Sequence, residues 1–293
     1  MKGLRRKSRA VLRGLLVLAA ALCAFAFLTP TVLTVTNSFM KQSELTANYG
    51  VLYSAGKAAA ESANLKFIPD TVTLSQYGTV LLKSPDYLFK FWNSVILVFP
   101  IVVFQLAVAL LAAYGFTRWR GRLRELLFFA YIVLMLMPYQ VTLVPNYLVS
   151  AWLGILKTRW AVWLPAAVSP FSVFLLTKSM RRIPASYHEA AQLDGAGSWQ
   201  IFRFVYVPLC RSILFSVGIL VFIDYWNMVE QPLILLKDAM KYPLSVYLSA
   251  INARELGIAF AAAVIYMIPS GLLFLYGEED LVRGIAFSGG IKA

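Results

Sequence analysis

The sequence predicts an all-α polytopic membrane protein with six transmembrane helices, and three observations carry that reading. Mean hydropathy is +0.70, and 60% of the 293 residues are hydrophobic against 14% charged, which is too apolar for an ordinary soluble domain. The apolar residues come in long blocks: 14–40, 91–117, 126–156, 160–177 and 256–277 contain no Asp, Glu, Lys or Arg, and a sixth apolar stretch, 209–229, carries Asp224 in its interior. A helix rising 1.5 Å per residue crosses the hydrocarbon core in about 20 residues, so each block is long enough for one crossing. Finally, Lys and Arg alternate between the connecting segments, 17 on one side against 10 on the other. Basic residues resist translocation, so the richer side, which carries both termini and the loop at 181–208, is expected to be cytoplasmic.

The elements follow in order. The first span, 14–37, succeeds a strongly basic start and runs on past Ala24-Phe25-Ala26, where a signal peptide could be cut. That length fits a retained anchor better than a cleaved leader. Residues 38–91 form an extracellular loop long enough for a small cap, and the second span covers 92–117. The run from 126 to 156 exceeds one crossing, so a helix is expected over 126–148, followed by an interfacial turn with Trp152 and Gly154. The fourth span, 160–178, contains Pro165 and Pro170. Proline frees backbone carbonyls that lipid cannot satisfy, so this span should pack among other helices. The fifth and sixth spans are 209–229 and 256–277, and the chain reads as a single transmembrane domain.

Several functions are disfavoured by the same residues. The net charge of +13 is scattered between apolar blocks and forms no stripe of the kind that binds nucleic acid. Cys23 and Cys210 are far apart and without a CxxC, and His188 is the single histidine, so neither a disulfide framework nor a zinc site is implied. His188 itself reads as a solvated helix residue. Lys7, Lys83, Lys157 and Lys178 each precede Ser or Thr, but none follows Gly. A phosphate-cradling loop is therefore missing, and no cofactor is expected in this chain.

Within this apolar chain the stretch EAAQLDGAGSWQIF, residues 189–202, is conspicuously polar and rich in small residues. Pro184 suits the first turn of a helix, Gly195 can take the left-handed conformation that ends one, and Ser198 can cap the next. The second helix is expected to continue to Pro208 and so into the fifth span. Ala190 and Ala191 leave the first helix thin enough for close approach by a partner, and Glu189 and Asp194 offer hydrogen-bond acceptors beside it. In the fifth span Asp224 would be costly against lipid, so it should face water, either along a pathway or at the outer interface.

EAAQLDGAGSWQIFRFVYVP, residues 189–208, resembles the EAA loop of importer-type ABC transporter permeases: Glu189-Ala190-Ala191, three residues, Gly195, nine residues, then Val205-Tyr206-Val207-Pro208. Asp194-Gly195-Ala196 is similar to the carbohydrate-uptake branch. The likeness extends through LSQYGTVLL and FWNSVILV near the second span, LGILKTRWAVWLP, YWNMVEQPLILL with Asp224 just before it and Asn227 within it, and the tail LVRGIAFSGGIKA. It departs at about 41–66, which is long, and at the acidic cluster 278–280. The resemblance implies the type I importer permease fold with a cytoplasmic coupling helix, and ATPase-coupling roles for Glu189, Ala190, Ala191, Asp194, Gly195 and Pro208. It also implies a second permease subunit in a heterodimer, an ABC ATPase dimer that binds the ATP and magnesium, an extracellular solute-binding protein and a carbohydrate cargo. Asp224 and Asn227 are the candidates for the translocation pathway. A secondary transporter would need paired half-sites or more intramembrane ions, and a membrane enzyme would need a convergent nucleophile, base or metal set.

Overall fold

Long apolar segments fold as helices because in lipid each backbone N–H must find its carbonyl within the same segment. The computed structural model describes residues 2–50, 64–250 and 255–289, with side chains over 13–50, 64–250 and 255–282. Among these residues the architecture is helical apart from an isolated antiparallel bridge between Met40 and Val72. The order is α1 (Lys2–Asn37), α2 (Gln42–Tyr49), α3 (Ser75–Gly78) running into a π turn at Thr79–Lys83, α4 (Pro85–Arg118), α5 (Arg122–Met135), α6 (Tyr139–Trp152), α7 (Trp160–Ala166) and α8 (Pro170–Met180). It continues with α9 (Ala185–Leu193), α10 (Ser198–Ile201), a π turn at Phe202–Tyr206, α11 (Val207–Leu209), α12 (Arg211–Trp226), α13 (Glu230–Leu235), α14 (Leu244–Ser249) and α15 (Leu256–Gly289).

Four segments are long and apolar enough to cross a membrane: Arg13–Asn37, Pro85–Arg118, Trp160–Met180 and Leu256–Val282. Two bent pairs, Arg122–Met135 with Tyr139–Trp152 and Ser198–Leu209 with Arg211–Trp226, bring the number to six if each counts as one span.

Both bends depart from the sequence reading. A single helix expected over 126–148 instead stops at Met135, turns by 103°, and resumes at Tyr139 as far as Trp152. Pro138 has extended backbone, φ −65° and ψ 143°, and the residue before a proline is driven out of helical geometry. Gly154, at φ +68°, then makes the expected turn. Likewise, the second loop helix does not run unbroken through Pro208 into the fifth span. It carries a π turn, breaks at Cys210 (φ −98°, ψ 8°), and α12 leaves at 74°. Pro208 has no N–H to give to Phe204, and the Cys210 N–H is shared between Tyr206 O and Val207 O at 3.0 and 3.2 Å.

The chain divides into two compact units. The first, residues 1–88 with 250–266, has a small core of Met40, Leu45, Tyr49 and Leu256, with Phe260 packed on it. Polar side chains tie its segments together: Gln76 Nε2 donates to Met40 O, Asn37 Nδ2 donates to Tyr49 OH at 2.7 Å, and the Gly257 N–H reaches Gln42 Oε1 at 2.8 Å. Lys66 bridges Glu44 at 3.0 Å and also pairs with Asp70.

The second unit, residues 89–249 with 267–293, holds the remaining elements. The break between α7 and α8 is capped by Ser169, whose side chain accepts from Ser172 N. Polar contacts from α4 meet this broken pair: Gln105 Nε2 donates to Ser172 Oγ at 2.7 Å, and Trp163 Nε1 donates to Leu97 O at 3.1 Å. Val173 and Leu176 are fully buried beside them. On α15, Gly277 lies so close to α12 that an added Cβ would stand 2.8 Å from Phe215 and overlap Ile219. Asp280 accepts from Ser212 Oγ at 2.6 Å, and its carbonyl accepts from Ser216 Oγ at 2.7 Å. The acidic cluster of the tail thus supplies a helix-to-helix bond.

Candidate functional site

Two features of the second unit stand out, a protruding loop and a cavity that carries several polar groups in a mostly apolar wall. In the loop, α9 ends in a Schellman motif: the Gly195 N–H bonds Gln192 O at 3.0 Å and the Ala196 N–H bonds Ala191 O at 2.9 Å. Gly195 sits at φ +83°, which this reversal requires and which glycine adopts without a steric cost. The second cap falls one residue before the expected Ser198. Gly197 occupies the N-cap, and its N–H is satisfied at 2.8 Å by the Gln200 side chain three residues on. Pro184 likewise sits at the N-cap of α9 rather than inside its first turn.

The loop is presented outward and fixed from below. Glu189, Ala190, Asp194, Gly195 and Pro208 are exposed, and Ala191 is half-buried. Leu193 at the tip is 88% exposed, an apolar side chain with nothing of this chain over it. Underneath, the Tyr114 ring of α4 lies 5.1 Å from both Phe202, tilted, and Tyr206, edge-on, and its hydroxyl donates to Ser198 O at 3.2 Å. Trp199 adds a tilted contact with Phe202 at 5.2 Å.

His188 belongs to this seat, which corrects the expectation of a solvated residue. It is only 4% exposed, edge-on to Tyr206 at 6.1 Å, and neither ring nitrogen has a hydrogen-bond partner. Desolvation, and secondarily the Arg118 cation, hold its imidazole below the ordinary histidine range, while Glu189 opposes them. The neutral ring therefore acts as packing. Tyr114 and His188 were not legible as parts of the loop's support, and of the aromatic residues in the second loop helix Phe202 and Tyr206 are buried while Trp199 stays exposed.

The cavity, of about 490 Å³, lies among α5, α6, α7, α8, α12 and α13. It is bounded by both arms of the 103° bend, which contribute Tyr131 and Met135 on one side and Tyr139 and Thr142 on the other. Asp224 of α12 is exposed and lines it. Asn227 is not among the lining residues; it terminates α12, with Nδ2 donating to Ile223 O at 2.8 Å. A separate apolar groove between α4 and α12, bounded by Leu106, Leu214 and Phe215, has almost no polar surface.

The comparisons with known proteins agree with this geometry. Residues 105–277 match the family described as "Binding-protein-dependent transport system inner membrane component". A lactose transport system permease protein of Rhizobium radiobacter is 29% identical over 198 residues, 67% of this chain and 72% of that one. An arabinooligosaccharides transport system permease protein of Halalkalibacterium halodurans is 25% identical over 292 residues, 99% of this chain and all of the relative. A solved bacterial ABC transporter involved in import of the acidic polysaccharide alginate shares the fold at TM-score 0.78 and 22% identity, covering 93% of this chain and 97% of that one. The helical order, the capped loop and a match over more than half of the sequence converge: this chain is a member of the binding-protein-dependent transport system inner membrane components, with the permease fold of ABC importers.

Proposed function

We propose that this chain is the carbohydrate-translocating subunit of an ATP-driven importer, with residues 184–206 as its dock for a separate ATPase. The observation that carries this is the loop itself: a Schellman-capped helix that exposes Glu189, Ala190 and Leu193 while an aromatic seat holds it from beneath. A rigid element that reaches both a partner and the membrane helices is what coupling between two sites requires. ATP and magnesium belong to the ATPase dimer in this reading, and both termini and the loop face the cytoplasm. A second permease completes the pathway, and a solute-binding protein delivers cargo from outside. The sugar-transport names of the relatives support a carbohydrate cargo. Asp224 faces that pathway, and Asn227 acts at its margin through the end of α12.

The test separates docking from folding. At Gly195 there is open space for a side chain but φ is +83°, so Gly195→Val strains the backbone alone and misaims α9. Glu189→Lys reverses an exposed charge and removes a charge-assisted bond worth about 1.5–3 kcal/mol. Both variants are expected to reach normal membrane levels, lose copurification of the ATPase and abolish cargo-stimulated ATP hydrolysis. Wild-type copurification and uptake in both would refute the docking role.

A further inference from the structure

We infer that the cavity beside Asp224 is an electrostatic filter for the cargo, admitting neutral or amino-bearing saccharides and disfavouring those that carry carboxylates. This rests on the reading of the cavity as part of the translocation pathway and adds the charge of what passes. Family likeness leaves that charge open, because the relatives named above handle neutral sugars in two cases and an acidic polysaccharide in the third.

The cavity's own chemistry closes the question. Among the described residues, 18 line the cavity; of these Asp224 alone is charged and none is Lys or Arg. Glu230 is not in the lining, but its carboxylate lies close enough to the lining Tyr139 for its charge to be felt there. The cation that follows, Lys237, is engaged elsewhere, 3.2 Å from the Tyr147 hydroxyl and over the Tyr147 ring. The rest of the wall suits a sugar. Tyr139 and Tyr225 offer aromatic faces, and Thr142, Asn146 and Gln231 offer donors and acceptors for hydroxyls.

The wall is mostly apolar, but the space is large enough for water, and Asp224 with Thr142, Asn146 and Gln231 supplies polar partners for it, which keeps an exposed carboxylate solvated. The low-dielectric walls around it focus its field into the space. An Arg clamp, the usual partner of a uronate carboxylate, has no counterpart in the lining. An anionic cargo would therefore meet a like charge with nothing to offset it, and such unpaired juxtaposition is how sites reject a competitor.

The filter can be read without knowing the sugar. In the complete transporter, reconstituted in lipid nanodiscs, Cys23→Ala removes the exposed native thiol, and the parent protein with its buried Cys210 serves as the blank. Thr142→Cys, and separately Asn146→Cys, then report on the cavity. Each is reacted with two methanethiosulfonates of similar size, one cationic and one anionic, and the rates are normalised to a free thiol. The cationic reagent is expected to be favoured about tenfold, at the low end of what such focusing gives association rates. Asp224→Asn should return the ratio to that of the free thiol. If both reagents react and the ratio ignores Asp224→Asn at both positions, the filter is wrong while the pathway reading stands. If neither reagent reacts at either position, with or without ATP, the cavity is closed to water and both readings fall.

Discussion

The two bends, at residues 136–138 and at Cys210, look alike as interruptions of apolar segments and differ in what fills them. The first, of 103°, encloses space: its arms bound the 490 Å³ cavity, and Asp224 faces into it. The second, of 74°, is flanked by packed side chains: Cys210 is buried, Tyr206 and Phe202 meet the Tyr114 ring edge-on and tilted, and His188 meets Tyr206 edge-on. A bend around space can adjust to different contents, whereas a bend filled to native density moves as one body. The difference teaches a division of labour, with shape tolerance where cargo would pass and stiffness where force would enter.

Overpacking the rigid side should cost most. Gly277→Leu drives a side chain into Ile219 and Phe215, and about 3 kcal/mol is expected from overpacking the α12–α15 contact, seen as a lowered Tm of the detergent-solubilised protein. An unchanged Tm would mean that α12 and α15 adjust freely and that the rigidity argued here is absent. Tyr114→Ala comes next. Its ring is half-buried, so about 2 kcal/mol is expected, roughly half of the fully buried aromatic value, together with loss of cargo-stimulated ATP hydrolysis. Tyr114→Phe keeps the ring and loses only the bond to Ser198 O, at about 1 kcal/mol. Hydrolysis should then remain near normal.

The tolerant side should respond in the opposite manner. Thr142→Trp fills the cavity and is expected to stop uptake while stability changes by no more than about 0.5 kcal/mol. A large loss of Tm here would erase the contrast between the bends.

The smallest effect belongs to His188. Because its folded-state value lies below the unfolded 6.5, its contribution is fully present above that value and is lost as pH falls from there through the folded value. Stability should therefore decline on acidification through this window. His188→Phe, which keeps a ring against Tyr206 and cannot titrate, should flatten part of that slope in a pH series of melting curves.

What could be read from the sequence, and what could not, follows the same division. Block length and charge revealed the helical membrane class, because the need to satisfy backbone groups in lipid acts on each segment by itself. Gly195 as the end of a helix was legible for a similar reason, since φ > 0 is a local demand. The bend at Cys210 was hidden because Pro208 fits the opening turn of a helix as well as it fits a break, and only the π turn before it decides. The surroundings of His188 depend on the Tyr206 ring, 18 residues on, and on the charge of Arg118 from another helix, neither of which a local pattern specifies. The cavity was inaccessible for the same reason: six helices must be assembled before Asp224 has anything to face.

One feature bears on how the chain is made. The spanning window of α1 buries none of its residues, and Phe25 and Phe27 stand 70% and 84% exposed. Its free energy in the bilayer is then a sum of independent transfer terms with hardly any contribution from fit, so its insertion need not wait for the helices synthesised after it. Swapping one large aliphatic residue for another along 14–28 should be silent in this chain, while a single charge there would act on insertion efficiency during synthesis and leave the assembled bundle's packing untouched.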